Sequence, residues 1–169
     1  WGGSMVATEI GDILFGTPSP IAADVNMGVL KEDHVNIIVH GHEPNLFESV
    51  LVSVNEPSLV QAAKDAGAKG INLVGMCCSG AEMLSRNGVP HAGNFMSTEA
   101  VLATGAVDAM GVDVQCIKQG LVAVADCYKT PLITTNTRCK IEGATHLEFH
   151  EHKPRECTDD IVIKAITRF

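Results

Sequence analysis

Apolar and polar positions in this chain alternate between short, fully apolar runs and longer amphipathic stretches. Val35-Asn36-Ile37-Ile38-Val39 is a brief run rich in β-branched residues, the mark of a buried strand. Gly70 to Gly75, Asp108 to Val114 and Pro131 to Thr135 repeat the pattern, and Thr145 to Phe149 reads as a further strand. Helical stretches lie before and between them. One runs from Ser4 to Phe15 and ends in Gly16-Thr17-Pro18-Ser19-Pro20. Loop-like sequence follows to about Asp33. Asn45 is placed to cap a helix to Val54, and Pro57 fits the first turn of another that reaches Ala66 before Gly67 stops it. Ser79 to Arg86 is helical and stopped by Asn87-Gly88 and Pro90, while Val89 to Gly93 is a short strand or a turn. Ser97 and Thr98 are good N-caps for a helix to about Leu102, and Ile117 to Cys127 is the next helix. The last runs from Thr158 to Thr167, capped by Thr158 with Asp159 and Asp160 in its first turn.

Strands that alternate with helices predict an α/β fold, a Rossmann-like parallel sheet with helices on both faces. The right-handed crossover rule makes the runs near residues 35–39, 70–75 and 110–114 adjacent and parallel. No repeat or linker interrupts the pattern, so residues 1–169 are expected to form a single domain. That length is enough to bury a real core. With 46% hydrophobic but only 4% aromatic residues, the core must be aliphatic and rich in small side chains.

Charge and motifs narrow the function. A net charge of −8 with no Lys/Arg cluster argues against nucleic acid. No run approaches the roughly 18 apolar residues of a membrane span. The chain begins with Trp1 rather than Met, so it reads as a fragment of a longer multi-domain protein. No Gly-x-Gly-x-x-Gly follows the first strand, no Walker phosphate loop occurs, and Gly67-Ala68-Lys69-Gly70 is a plain loop. Ser79 does not sit in a Gly-x-Ser-x-Gly elbow, which weakens a hydrolase reading.

The chemistry gathers at strand ends instead. His40 and His42 lie in Val39-His40-Gly41-His42-Glu43-Pro44, Cys77-Cys78 follow the second strand, and Cys116 follows Val112-Asp113-Val114-Gln115. Imidazole and thiolate bind transition metals and iron–sulfur clusters. In an open α/β sheet the carboxyl ends of the strands share one crevice. These segments therefore look like a metal-cluster site assembled across strand ends. The plainer readings are buried apolar thiols and hydrogen-bonded loop histidines. A thiolate at a helix N-terminus is stabilised by the dipole, and consecutive cysteines point different ways, so one of the pair is expected to bind and the other to pack. In extended chain His40 and His42 would face the same side, with Glu43 able to orient one imidazole and with Asp113 and Gln115 flanking Cys116 in the same crevice. The six cysteines do not suggest disulfides, because a vicinal bridge is strained and the chain is α/β, so reduced thiols or metal ligands are expected; the location is expected to be cytoplasmic. Cys127, Cys139 and Cys157 show no matched spacing and read as structural.

Taken together, Val35 to Pro44, Gly70 to Cys78, Arg86 to Phe95, Thr104 to Met110 and Val112 to Cys116 resemble the anaerobic nickel–iron–sulfur carbon monoxide dehydrogenases. Trp1 to Pro20 and Thr134 to Phe149 are similar to them as well. The resemblance implies a Rossmann-like domain that carries part of a nickel- and iron-containing cluster. It implies His42 and Cys78 as ligands of a pendant iron and Cys116 as a ligand of the iron–sulfur part, with His40 and Cys77 as the alternatives. The implied reaction is oxidation of CO with water to CO2, with nickel binding CO. Two electrons would pass through 4Fe-4S clusters to ferredoxin or a similar acceptor, in a homodimeric parent enzyme. The family's nickel-binding cysteine, its other cluster cysteines and its proton-transfer histidine and lysine have no counterpart here. Ser79-Gly80-Ala81-Glu82 and Met96-Ser97-Thr98-Glu99-Ala100 also depart from the family's usual wording. The rival readings are a hybrid-cluster protein (hydroxylamine reductase) and a non-catalytic α/β assembly module.

Overall fold

A computed structural model describes residues 1–115 and 117–169. Its centre is β1 (Val35–His40), buried along its whole length because both faces are covered. Strands β2 (Ile71–Met76), β3 (His91–Gly93), β4 (Ala109–Val112), β5 (Leu132–Thr134) and β6 (Thr145–His146) join it in the order β3-β2-β1-β4-β5-β6. All pairings are parallel. This is the doubly wound order, in which the direction of winding reverses between β1 and β4. The expected adjacency of the three runs is met.

Alternation along β1 divides the core. Val35, Ile37 and Val39 pack on one face with α2 (Pro44–Val54), α3 (Pro57–Asp65) and α7 (Pro154–Arg168), joined by Met83 of α4 (Cys77–Asn87). Ile38 points the other way, to α5 (Thr98–Ala103) and α6 (Leu121–Cys127). Phe47 is the largest fully buried side chain, and the rest is mainly Ile, Leu, Val, Met and Ala, as the aromatic-poor composition requires. Helix α1 (Gly2–Phe15) buries none of its residues and is tied down through Arg86, which reaches Asp12 at 3.2 Å and the Gly16 carbonyl at 2.7 Å.

Several boundaries differ from expectation for local reasons. Helix α2 starts at Pro44 with Glu43 as its cap, while Asn45 bonds instead to Glu151 at 3.1 Å. Helix α4 starts two residues early, so both cysteines lie in its first turn. Residues 119–120 form a turn, and α6 begins only at Leu121. Helix α7 starts at Pro154, and Thr158 is not its cap. Its hydroxyl instead lies 2.7 Å from that of Ser53, buried between α7 and α2. The last strand keeps only Thr145 and His146 paired.

Candidate metal centre

The sheet register determines which segments leave it side by side. His40 stands level with Met76 of β2 and Val112 of β4. The chain therefore emerges from three neighbouring strands at Gly41, Cys77 and Asp113, at the point where the winding reverses and ligands bind in such sheets.

The two histidines part company there. His40 is still in the sheet and fully buried, with Nε2 3.4 Å from the Thr98 hydroxyl of α5. Gly41 then adopts φ +143°, a region that essentially only glycine enters, and the chain turns. A side chain at Gly41 would collide with the Asp113 carboxylate. His42 emerges half-buried beyond this turn. Its Nδ1 lies 3.2 Å from the Val114 carbonyl. A carbonyl only accepts, so Nδ1 carries a proton, and in a neutral ring the lone pair would be on Nε2. Metal-binding histidines are commonly oriented this way.

The peptide group between Gly41 and His42 is held from both sides. Its carbonyl accepts the Ser79 N–H of α4 at 3.0 Å. Its N–H donates to Asp113 Oδ1 at 2.7 Å. The bond to Ser79 joins the Gly41–His42 peptide directly to the Cys78–Ser79 peptide, so His42 and Cys78 are placed next to each other through the backbone. Cys78 is exposed and Cys77 is partly buried. Cys77 has φ +58°, unusual for a residue with a side chain. Its carbonyl accepts His91 Nε2–H at 3.0 Å. The helix is drawn onto β2 by a glycine pair: a Cβ on Gly80 would come within 2.7 Å of the Gly75 backbone.

Asp113 is the most informative residue that sequence reading placed only at the margin. It is completely buried, and its carboxylate accepts the amides of His42, Glu43 (3.0 Å) and its own neighbour Val114. Burial pushes its pKa up to about 6, against the pull of those three N–H groups, and the nearby Glu43 charge adds to the rise. Burial also raises Glu43, opposed by a bond from Asn136 and reinforced by the Glu151 charge. The only sequence cue to Asp113 is a carboxylate directly after an apolar strand.

Cys116, the third expected ligand, lies outside the described residues. Among the described residues no three His, Cys, Asp or Glu side chains gather closely enough to hold a metal ion. The donors that are present, an imidazole with its proton anchored and a thiol in the first turn of a helix, suit part of an iron–sulfur centre. Ser79 Oγ and Glu43 Oε2 on these segments, and His91 Nδ1 on the neighbouring β3, are buried without a hydrogen-bond partner among the described residues. A cavity of about 580 Å³ opens at the opposite end of the sheet, beside His34, Asn36, Asp108 and Arg168, away from these donors. No helix among the described residues is long and apolar enough to cross a membrane.

Comparison with known proteins gives the family. The model of the Prismane/CO dehydrogenase family matches residues 1–169. The chain belongs to that family. Carbon monoxide dehydrogenase 1 of Methanosarcina mazei is 48% identical over 169 residues, the whole of this chain and 27% of that protein. The nickel-free, as-isolated carbon monoxide dehydrogenase of Thermococcus sp. AM4 superposes with a TM-score of 0.95 at 50% identity, covering 100% of this chain and 27% of that one. Carbon monoxide dehydrogenase IV of Carboxydothermus hydrogenoformans gives a TM-score of 0.92 at 51% identity, covering 97% of this chain and 26% of that one. The chain thus spans about a quarter of the length of the carbon monoxide dehydrogenases it matches.

Proposed function

We propose that this chain is the Rossmann-like part of a nickel-dependent carbon monoxide dehydrogenase, forming one wall of its active-site cluster and working with segments beyond these residues. The observation that carries the reading is the hydrogen bond between the Gly41–His42 and Cys78–Ser79 peptides, which joins the backbone at His42 to the backbone at Cys78 at the switch point of the sheet. Nearly half of the residues are identical to those of a named carbon monoxide dehydrogenase along the full chain.

In this reading His42 Nε2 and the Cys78 thiolate hold one iron, and Cys116 binds the iron–sulfur part. The bound nickel–iron–sulfur cluster supplies the two-electron chemistry that interconverts CO and water with CO2. The residues of this chain prepare the ligands. The Val114 carbonyl keeps the His42 proton on Nδ1, and the first turn of α4 carries the Cys78 thiol. A neutral imidazole beside thiolates keeps the site less negative than an all-thiolate one, which bears on its potential. Transfer of the electrons through 4Fe-4S clusters to a ferredoxin-like acceptor, a homodimeric parent and a cytoplasmic location belong to the same proposal.

The test is substitution in the full-length enzyme that carries this chain. His42→Ala and Cys78→Ala should abolish CO-dependent viologen reduction and lower the iron content, leaving far-UV circular dichroism intact. Cys127→Ala, at an exposed position on α6, should retain activity and metal. Full activity and full metal content in His42→Ala would remove the proposed ligand set.

A further inference from the structure

Two buried aspartates flank β4. Asp108 precedes it and is ion-paired to Arg168 at 2.6 Å, far from the proposed ligands. Asp113 follows it and has no basic partner among the described ion pairs; its partners are backbone amides. A fully buried carboxylate bound only to N–H groups is costly to keep unless the arrangement it enforces is needed.

What it enforces is specific. The Asp113 N–H donates to the His40 carbonyl at 3.2 Å, which fastens the loop after β4 to the end of β1. The carboxylate then gathers the amides of His42 and Glu43, and the Val114 carbonyl takes the His42 ring proton. Residues 113 and 114 therefore hold both the backbone and the ring of His42. Gly41 completes the device, because any side chain there would displace the carboxylate. Asparagine cannot substitute: it has one oxygen where two are used, and its NH2 would face an N–H donor.

We propose that Asp113 is the positioning residue of the metal centre, fixing the direction in which His42 presents Nε2. This rests on the reading of His42 as an iron ligand. A buried amide-binding carboxylate with a purely structural role would affect folding alone. A positioning role predicts loss of one iron from a folded protein.

The experiment compares Asp113→Asn, Gly41→Ala, Asp108→Asn and His42→Ala in the full-length, metal-loaded enzyme. Iron and nickel per chain, the Mössbauer spectrum, far-UV circular dichroism, and kcat and KM for CO are measured on each. Asp113→Asn should stay folded, lose about one iron per chain with the corresponding Mössbauer component, and drop in kcat by about 10- to 100-fold, the scale of a supporting residue behind a metal ligand. KM for CO should stay within about threefold, as for a change that acts on the chemical step. Gly41→Ala keeps the carboxylate but moves it, and should reproduce the iron loss; it decides the matter if Asp113→Asn does not fold. Asp108→Asn should keep its metal and spectrum. A normal metal complement and spectrum in Asp113→Asn, or in Gly41→Ala where the former does not fold, overturns the proposal. If His42→Ala also keeps its metal, the underlying ligand reading has failed; if only His42→Ala loses iron, the failure belongs to Asp113 alone.

Discussion

Gly80→Ala sets two effects of opposite sign against each other. Gly80 lies inside α4, where alanine is favoured over glycine by about 1 kcal/mol in helix propensity. The new Cβ would stand 2.7 Å from the Gly75 carbonyl carbon, 2.8 Å from its Cα and 2.9 Å from His91 Cδ2. Two of these are backbone atoms of a central strand, so α4 must move away from β2. Overpacking of this kind costs about 1–3 kcal/mol. The movement also stretches the Ser79 N–H bond to Gly41 and the His91 bond to the Cys77 carbonyl, both 3.0 Å, each worth about 0.5–1.5 kcal/mol. The clash outweighs the propensity gain by about 2 kcal/mol, which corresponds to a roughly 30-fold rise in local opening. Hydrogen exchange with mass spectrometry over residues 77–87 reads this locally, whatever the size of the whole protein. Ala81→Gly, at an exposed site on the same helix, is the comparison: it loses propensity alone and should raise opening by only about fivefold. Equal or greater protection in Gly80→Ala would refute the reasoning, because it would mean that α4 can slide off β2 without cost.

Thiol reactivity and acid behaviour give two further checks. Cys157 is buried, its pKa is pushed up to about 12 by burial and by the Asp160 and Glu43 charges, and its thiol donates to the Leu147 carbonyl at 3.3 Å. In metal-free native protein iodoacetamide should label the exposed Cys78 and Cys127 well before Cys157; early labelling of Cys157 would mean that α7 opens readily. Asp33 is held down at about 2 by Lys69 and then His34, below its ordinary 3.8. A depressed carboxylate contributes stability above its unfolded pKa and loses it as pH falls towards the folded one. The small Tm deficit of Asp33→Asn should therefore shrink between pH 5 and pH 2, and a deficit that grows in acid contradicts the assignment.

Strand and helix identity, the parallel α/β class and the placing of His42, Cys77 and Cys78 just past strand ends are legible in the sequence. Period and β-branching report burial on both faces of β1, β2 and β4, and that pattern does not depend on distant neighbours. The family resemblance is equally a property of the sequence, since ordered local motifs such as Val39 to Pro44 and Gly70 to Cys78 carry it. Boundaries are less legible where tertiary partners compete with local signals. Thr158 has the chemistry of an N-cap, but its hydroxyl is used against Ser53, and the helix starts at Pro154. Asn45 is a good cap in isolation, yet its side chain is taken by Glu151.

The division between His40 and His42 required the tertiary structure. Two residues apart in an extended chain they would share a face, and nothing local distinguishes them. The turn at Gly41 exists because the Asp113 carboxylate, 72 residues on in sequence from Gly41 and adjacent only through the β1–β4 pairing, fills the space a side chain would need. One histidine is thereby committed to the α5 face of the core and the other to the loop after β4, at the carboxyl end of the sheet. Long-range register decides such contacts, and register depends on the packing of the whole sheet rather than on any single segment.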